Sequence, residues 1–119
     1  MLFRSNIMYN IADVTINIGS NEGFGLSNAE SMMAGTPVVV NVTGGLQDQI
    51  GQIDDKGNPV EFDYDFGSNH TGKYKKCGIW TYSIWPAARY IQGSPVTPYI
   101  LDDIVKWEDV AEEIGRAHV

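Results

Sequence analysis

The run Val38-Val39-Val40 limits the fold more than any other part of this sequence. Three consecutive β-branched residues favour a strand, and a strand apolar at every position is one covered on both faces, as in a parallel sheet. Gly35 and Pro37 stand just before it, a helix stop and a residue that cannot continue a helix. Upstream, the window from about Leu26 to Ala34 predicts a helix, with Leu26, Ala29 and Met33 at i, i+3 and i+7 on one face. Val14-Thr15-Ile16-Asn17-Ile18 predicts a strand ended by Gly19-Ser20-Asn21, and Ile7 to Ala12 the last turns of a helix before it. Thr43-Gly44-Gly45 then makes a turn, and Leu46 to Ile50 opens another helix. Strand, turn and helix, repeated, are the unit of a doubly wound α/β fold, and the right-handed crossover rule sets the two strands parallel.

The rest of the chain has another texture. Residues 51–78 are rich in Gly, Asp, Asn and Lys, with Phe62, Tyr64 and Phe66 alternating with other residues, and read as an insertion, a loose hairpin. Ile79 to Tyr82 predicts a short strand. Pro86, Pro95 and Pro98 interrupt the stretch after it, and Ile104 to Ile114 predicts a helix whose start is marked by Asp102 and Asp103. Residues 115–119 do not continue its amphipathic pattern and read as a non-native tail or a truncation scar. No internal repeat occurs.

Size and charge exclude several classes of function. A chain of 119 residues supports one small domain, burying roughly two-thirds of its unfolded surface. Eight basic residues against 15 acidic ones give a net charge of −7, which argues against a nucleic-acid partner. No apolar run approaches the ~20 residues of a membrane helix, and the start lacks the apolar stretch of a signal peptide, so a cytoplasmic location is expected. Cys77, the single cysteine, permits no internal disulfide and no multi-cysteine zinc site. The Asn-x-Thr triplets at Asn41 and Asn69 then read as chance, and His70 and His118 as surface residues rather than ligands.

Candidate chemistry sits between the first strand and its helix. Glu22 and Glu30 bracket Gly23-Phe24-Gly25-Leu26-Ser27-Asn28-Ala29. In an open α/β sheet, ligands bind at the carboxyl ends of strands, where helix N-termini offer N–H groups to phosphate. Gly23 and Gly25 permit close approach of main chain to a ligand. Carboxylates suit the vicinal hydroxyls of a sugar and repel phosphate, so Glu22 and Glu30 point to hydroxyls and the amides to phosphate. The competing reading makes both glutamates surface residues that complement the helix dipole.

The stretch Ile11-Ala12-Asp13-Val14 through Glu22-Gly23-Phe24-Gly25-Leu26, Ala29-Glu30-Ser31-Met32-Met33-Ala34-Gly35-Thr36-Pro37-Val38-Val39 and Thr43-Gly44-Gly45-Leu46 resembles the retaining, nucleotide-sugar-dependent GT-B glycosyltransferases. Two glutamates separated by seven residues, with Gly-Phe-Gly-Leu between them, form that group's signature. The resemblance covers about residues 7 to 50. It implies the C-terminal, donor-binding part of a GT-B enzyme, a partial Rossmann-like doubly wound parallel sheet. Residues 1–50 would form the nucleotide-sugar-binding βαβα core, 51–78 the insertion and 79–114 a C-terminal segment.

By resemblance, Glu22 is the catalytic glutamate and faces the donor sugar, and Glu30 binds the ribose hydroxyls. The amides of Phe24, Gly25 and Leu26 meet the sugar and diphosphate, and Thr43, Gly44 and Gly45 face the same cleft. The reaction implied is hexosyl transfer with retention from a nucleotide diphosphate sugar to an acceptor of undefined chemistry, with no cofactor and no metal. The family's acceptor domain and its basic phosphate clamp have no counterpart in this sequence, so the isolated chain is expected to be inactive. Two alternatives stand beside this reading: a non-catalytic remnant or binding module that needs a partner chain, and part of a GT-B-fold nucleotide-sugar epimerase.

Lys73, Lys75 and Lys76 read as a solvated loop rather than a phosphate clamp. Trp80, Tyr82, Trp85 and Tyr90 read as packing aromatics rather than a sugar-stacking surface.

Overall fold

A computed structural model describes residues 2–60 and 74–117. The elements are α1 (Leu2–Ile11), β1 (Thr15–Asn17), α2 (Leu26–Met33), β2 (Val38–Asn41), a 3-10 turn (Gly44–Asp48), β3 (Thr81–Ile84), β4 (Ala88–Gln92), β5 (Ile100–Ile104) and α3 (Trp107–Ala117). β1, β2 and β3 form a parallel sheet in that order, with Thr15 opposite Val38 and Val38 opposite Thr81. β4 and β5 form a separate antiparallel hairpin.

The valine run occupies the centre of the sheet. Val38, Val39 and Val40 are at most 1% exposed. Alternate residues of a strand face opposite sides, so both faces of β2 are covered. Val38, Val40, Val42, Leu46 and Ile50 form the core cluster, with Met32, Cys77 and Trp85 packed against it. α2 lies on β1 and β2, and α3 on β2 and β3. No helix among the described residues is long and apolar enough to cross a membrane. Asn41 is fully buried, so its triplet is closed to any modifying enzyme.

The inner face of α2 differs from the one expected. Leu26 and Met33 are exposed, and Asn28 and Ser31 are the buried residues. The helix is set by side-chain bonding rather than by its apolar stripe. The Ser31 hydroxyl bonds the Thr15 hydroxyl at 2.8 Å and the Thr36 carbonyl at 3.1 Å, joining the helix to β1 and to the turn before β2. Thr36 in turn donates to the Tyr9 carbonyl at 2.6 Å, which holds the end of α1. The helix expected from Leu46 is a 3-10 turn that starts two residues earlier, at Gly44.

The described ends of the expected insertion come together. The Ile53 amide donates to the Lys76 carbonyl and the Gly78 amide to the Ile50 carbonyl. The Trp80 ring fills the space that a side chain at either Gly51 or Gly78 would need, and its indole N–H donates to the Gln49 carbonyl at 3.2 Å. The short strand predicted at Ile79 to Tyr82 is β3, shifted two residues onward. Phe62, Tyr64, Phe66, Asn69, His70 and Lys73 lie outside the described residues, as does His118.

Two expectations for the C-terminal segment are corrected. Asp102 and Asp103 belong to β5, and α3 starts at Trp107 with Glu108 and Asp109 in its first turn. The acidic pair reads as a cap only if the strand before it is overlooked, and Pro95 and Pro98 fall in the hairpin loop without interrupting either strand. Gly115 to Ala117 continue α3, held by Arg116 pairing with Glu112 and Glu113.

Cys77 is half-buried, and burial raises its thiol above the ordinary value. Because the thiolate is the reactive form, Cys77 is expected to alkylate several-fold more slowly at pH 8 than a cysteine in a short peptide. Rates equal to the peptide's would contradict its packing against the core.

Candidate functional site

Parallel pairing brings the carboxyl ends of β1 and β2 to the same edge of the sheet, and the loops that leave them interlock. β1 leads through Gly19 and Ser20 into Glu22-Gly23-Phe24-Gly25, and β2 leads through Thr43 into Gly44-Gly45. The Gly45 amide donates to the Glu22 carbonyl at 2.9 Å. A Cβ at Gly44 would overlap the Glu22 carbonyl oxygen, and one at Gly45 the Gly23 carbonyl oxygen. Only glycine at both positions lets the two main chains touch. The Gln49 side-chain amide donates to the Phe24 carbonyl and closes the rim from the far end of the 3-10 turn.

Gly25 is the N-cap of α2, at φ 83° and ψ 60°, a left-handed conformation that favours glycine. The Leu46 side chain occupies the place a Cβ there would take. The turn aims the first-turn N–H groups of α2, and the positive end of its dipole, at the rim. Glu22, Gly23, Phe24, Gly25, Gly44 and Gly45 thus form one continuous edge. The side chains of Phe24 and Leu26 are exposed, and that of Glu22 is half-buried.

Glu30 lies in the second turn of α2 and is half-buried. Burial first, and then the nearby Glu30 carboxylate, raise the pKa of the Tyr9 phenol on α1 above its ordinary value. Thr43 is fully buried, and its hydroxyl donates to Asp103 Oδ2 at 2.8 Å and lies 3.3 Å from the Ser20 carbonyl. Thr43 therefore offers the rim its main chain and not its side chain.

Other candidates lie elsewhere. Lys75 stands 4.4 Å over the Trp85 ring, a cation–π contact. Trp85 packs on the core, Tyr82 is half-buried and Tyr90 is exposed on β4.

Sequence reasoning missed Asp103, which is fully buried beneath the rim and ion-paired to Arg89. The run Tyr99-Ile100-Leu101-Asp102-Asp103-Ile104-Val105, rich in aromatic and branched residues, carries a strand signal that would have placed it.

A parallel sheet with a glycine-lined rim at its strand ends and a helix N-terminus beside it is a Rossmann-like arrangement. Residues 3–62, half of the chain and all of this rim, match the family described as glycosyl transferases group 1. The chain belongs to this family. It is 41% identical over 59 residues to a D-inositol 3-phosphate glycosyltransferase of Thermomonospora curvata, a stretch that is 45% of the chain and 14% of that relative. No solved structure matches the chain.

Proposed function

We propose that this chain forms the donor side of a retaining GT-B glycosyltransferase and holds a nucleotide diphosphate sugar across the rim. The observation that carries the reading is the interlock of Glu22–Gly25 with Gly44-Gly45 at the start of α2. It leaves bare main chain and a helix N-terminus where an anionic diphosphate can approach closely. The first-turn amides of α2 take up charge that develops on the diphosphate as the sugar leaves. Glu22, on the rim, accepts hydrogen bonds from hydroxyls of the transferring sugar. Glu30, deeper along α2, accepts those of the ribose. Gly44 and Gly45 close the opposite wall.

The test is an NMR titration of the chain with uridine, guanosine and adenosine diphosphate sugars. One of the three is expected to shift the amide resonances of Gly25 to Asn28 and of Gly44 and Gly45, and to leave those of α3 in place. Shifts confined to other residues, or none at millimolar ligand, would overturn the assignment.

A further inference from the structure

We infer that Asp103, with Arg89, is a positioning residue for the glycine rim: it holds Thr43, and through it Gly44 and Gly45, at the distance from Glu22 that a donor requires. The inference rests on the donor reading and extends it to the hairpin β4–β5, which lies outside the residues that match the family.

Asp103 is fully buried, and every polar part of it is used. One carboxylate oxygen accepts the Arg89 Nε–H at 2.6 Å, across the register that sets Arg89 opposite Asp103. The other accepts the Thr43 hydroxyl at 2.8 Å, with Arg89 Nη2 at 3.4 Å. Its amide donates to the Ser20 carbonyl at 2.8 Å, and its carbonyl accepts from Asn41 Nδ2 at 3.0 Å. The same Asn41 nitrogen donates to the Gly19 carbonyl at 2.9 Å. One residue of the hairpin thus binds the exits of both β1 and β2. Ser20 stands two residues before Glu22, and Thr43 directly before Gly44.

Asp103 is fully buried while the Arg89 side chain stays 38% exposed, and such a half-buried pair is a poor device for stability alone, because desolvation of the carboxylate offsets much of the attraction. What the charged pair adds is direction. The carboxylate has fixed lone pairs, the guanidinium fixes the carboxylate's plane, and Oδ2 takes the Thr43 hydroxyl at 2.8 Å. The main chain after Thr43 inherits that orientation.

The experiment compares wild type with Asp103→Asn, Arg89→Gln and Arg89→Lys in the full chain, by amide hydrogen exchange and by affinity for whichever of the three nucleotide sugars the wild type binds. Asp103→Asn and Arg89→Gln are expected to speed exchange at Gly44 and Gly45 about tenfold through local opening, with Val39 and Val40 of β2 unchanged. Donor affinity is expected to fall about tenfold, in line with one weakened charge-assisted contact. Arg89→Lys, which keeps the charge, restores most of both. Equal acceleration at Val39 and Val40 would make Asp103 a structural residue only and overturn the inference, as would unchanged exchange at Gly44 and Gly45. If the wild type binds no nucleotide sugar, the donor reading fails, and exchange alone decides whether Asp103 holds the rim. If the variants bind the donor as tightly as wild type, the positioning role fails and the donor reading stands.

Discussion

Replacing Glu30 with alanine is expected to weaken nucleotide-sugar binding ten- to a hundredfold. A hydrogen bond to a charged group contributes roughly 1.5–3 kcal/mol, which is that range of affinity. In a complete transferase carrying this segment the loss should appear in the donor KM, because the ribose is remote from the bond that breaks. Glu22→Ala should differ, with its loss mainly in kcat, since Glu22 stands on the rim where we propose that the transferring sugar binds. Glu30→Gln keeps one acceptor and should retain part of the binding. The Tyr9 phenol supplies an internal control. Burial raises the Tyr9 pKa most and the Glu30 carboxylate adds to it, so in Glu30→Ala the phenol should ionise at lower pH than in wild type, whether or not a donor binds. A glutamate that merely complements the helix dipole predicts only about a few tenths of a kcal/mol in stability and unchanged donor binding. Unchanged affinity in a folded Glu30→Ala protein would sink the ribose assignment.

Leu46→Ala is expected to cost roughly 2–5 kcal/mol of stability, the range for removing a fully buried leucine side chain. Leu46 belongs to the core cluster with Val38, Val40, Val42 and Ile50. It also fills the space beneath Gly25, so its removal opens a void under the N-cap of α2. Two effects should therefore appear together in denaturant titration and donor binding: lower stability, and a weaker donor complex under conditions where the protein is still folded. A loss below about 1 kcal/mol would mean that the core is centred elsewhere.

What the sequence made legible is what local chemistry decides. β2 was readable from three valines between Pro37 and Asn41, and α2 from its length and the stop at Gly35. The rim loop was visible because Gly23 and Gly25 lie between a strand and a helix. Other features were not legible, because they depend on partners distant in the chain. The buried face of α2 is set by Ser31 bonding to Thr15 and Thr36, and not by the apolar count of Leu26, Ala29 and Met33. That Gly45 touches Glu22 is a tertiary contact, which spacing alone does not contain. The hairpin β4–β5 was obscured by prolines that sit in its loop and by an acidic pair that resembles a helix cap. Asp103 acquires its meaning only beside Arg89, Thr43 and Ser20.

The clasp formed by Trp80 over Gly51 and Gly78 makes a natural splice point in the chain. Between β2 and β3 the chain passes Ile50 and Gly78, where the Gly78 amide donates to the Ile50 carbonyl and, one step further out, the Ile53 amide to the Lys76 carbonyl. The closure cost of whatever lies between grows only slowly, about 0.6 kcal/mol for each doubling of its length. Length added between Ile53 and Lys76 would thus cost the sheet little, whereas Gln52, which is buried, and Cys77, which packs on the core, are held in place. The three clasp residues are bound to one another instead: a side chain at either glycine requires the indole to go, so drift at these positions is expected to be concerted.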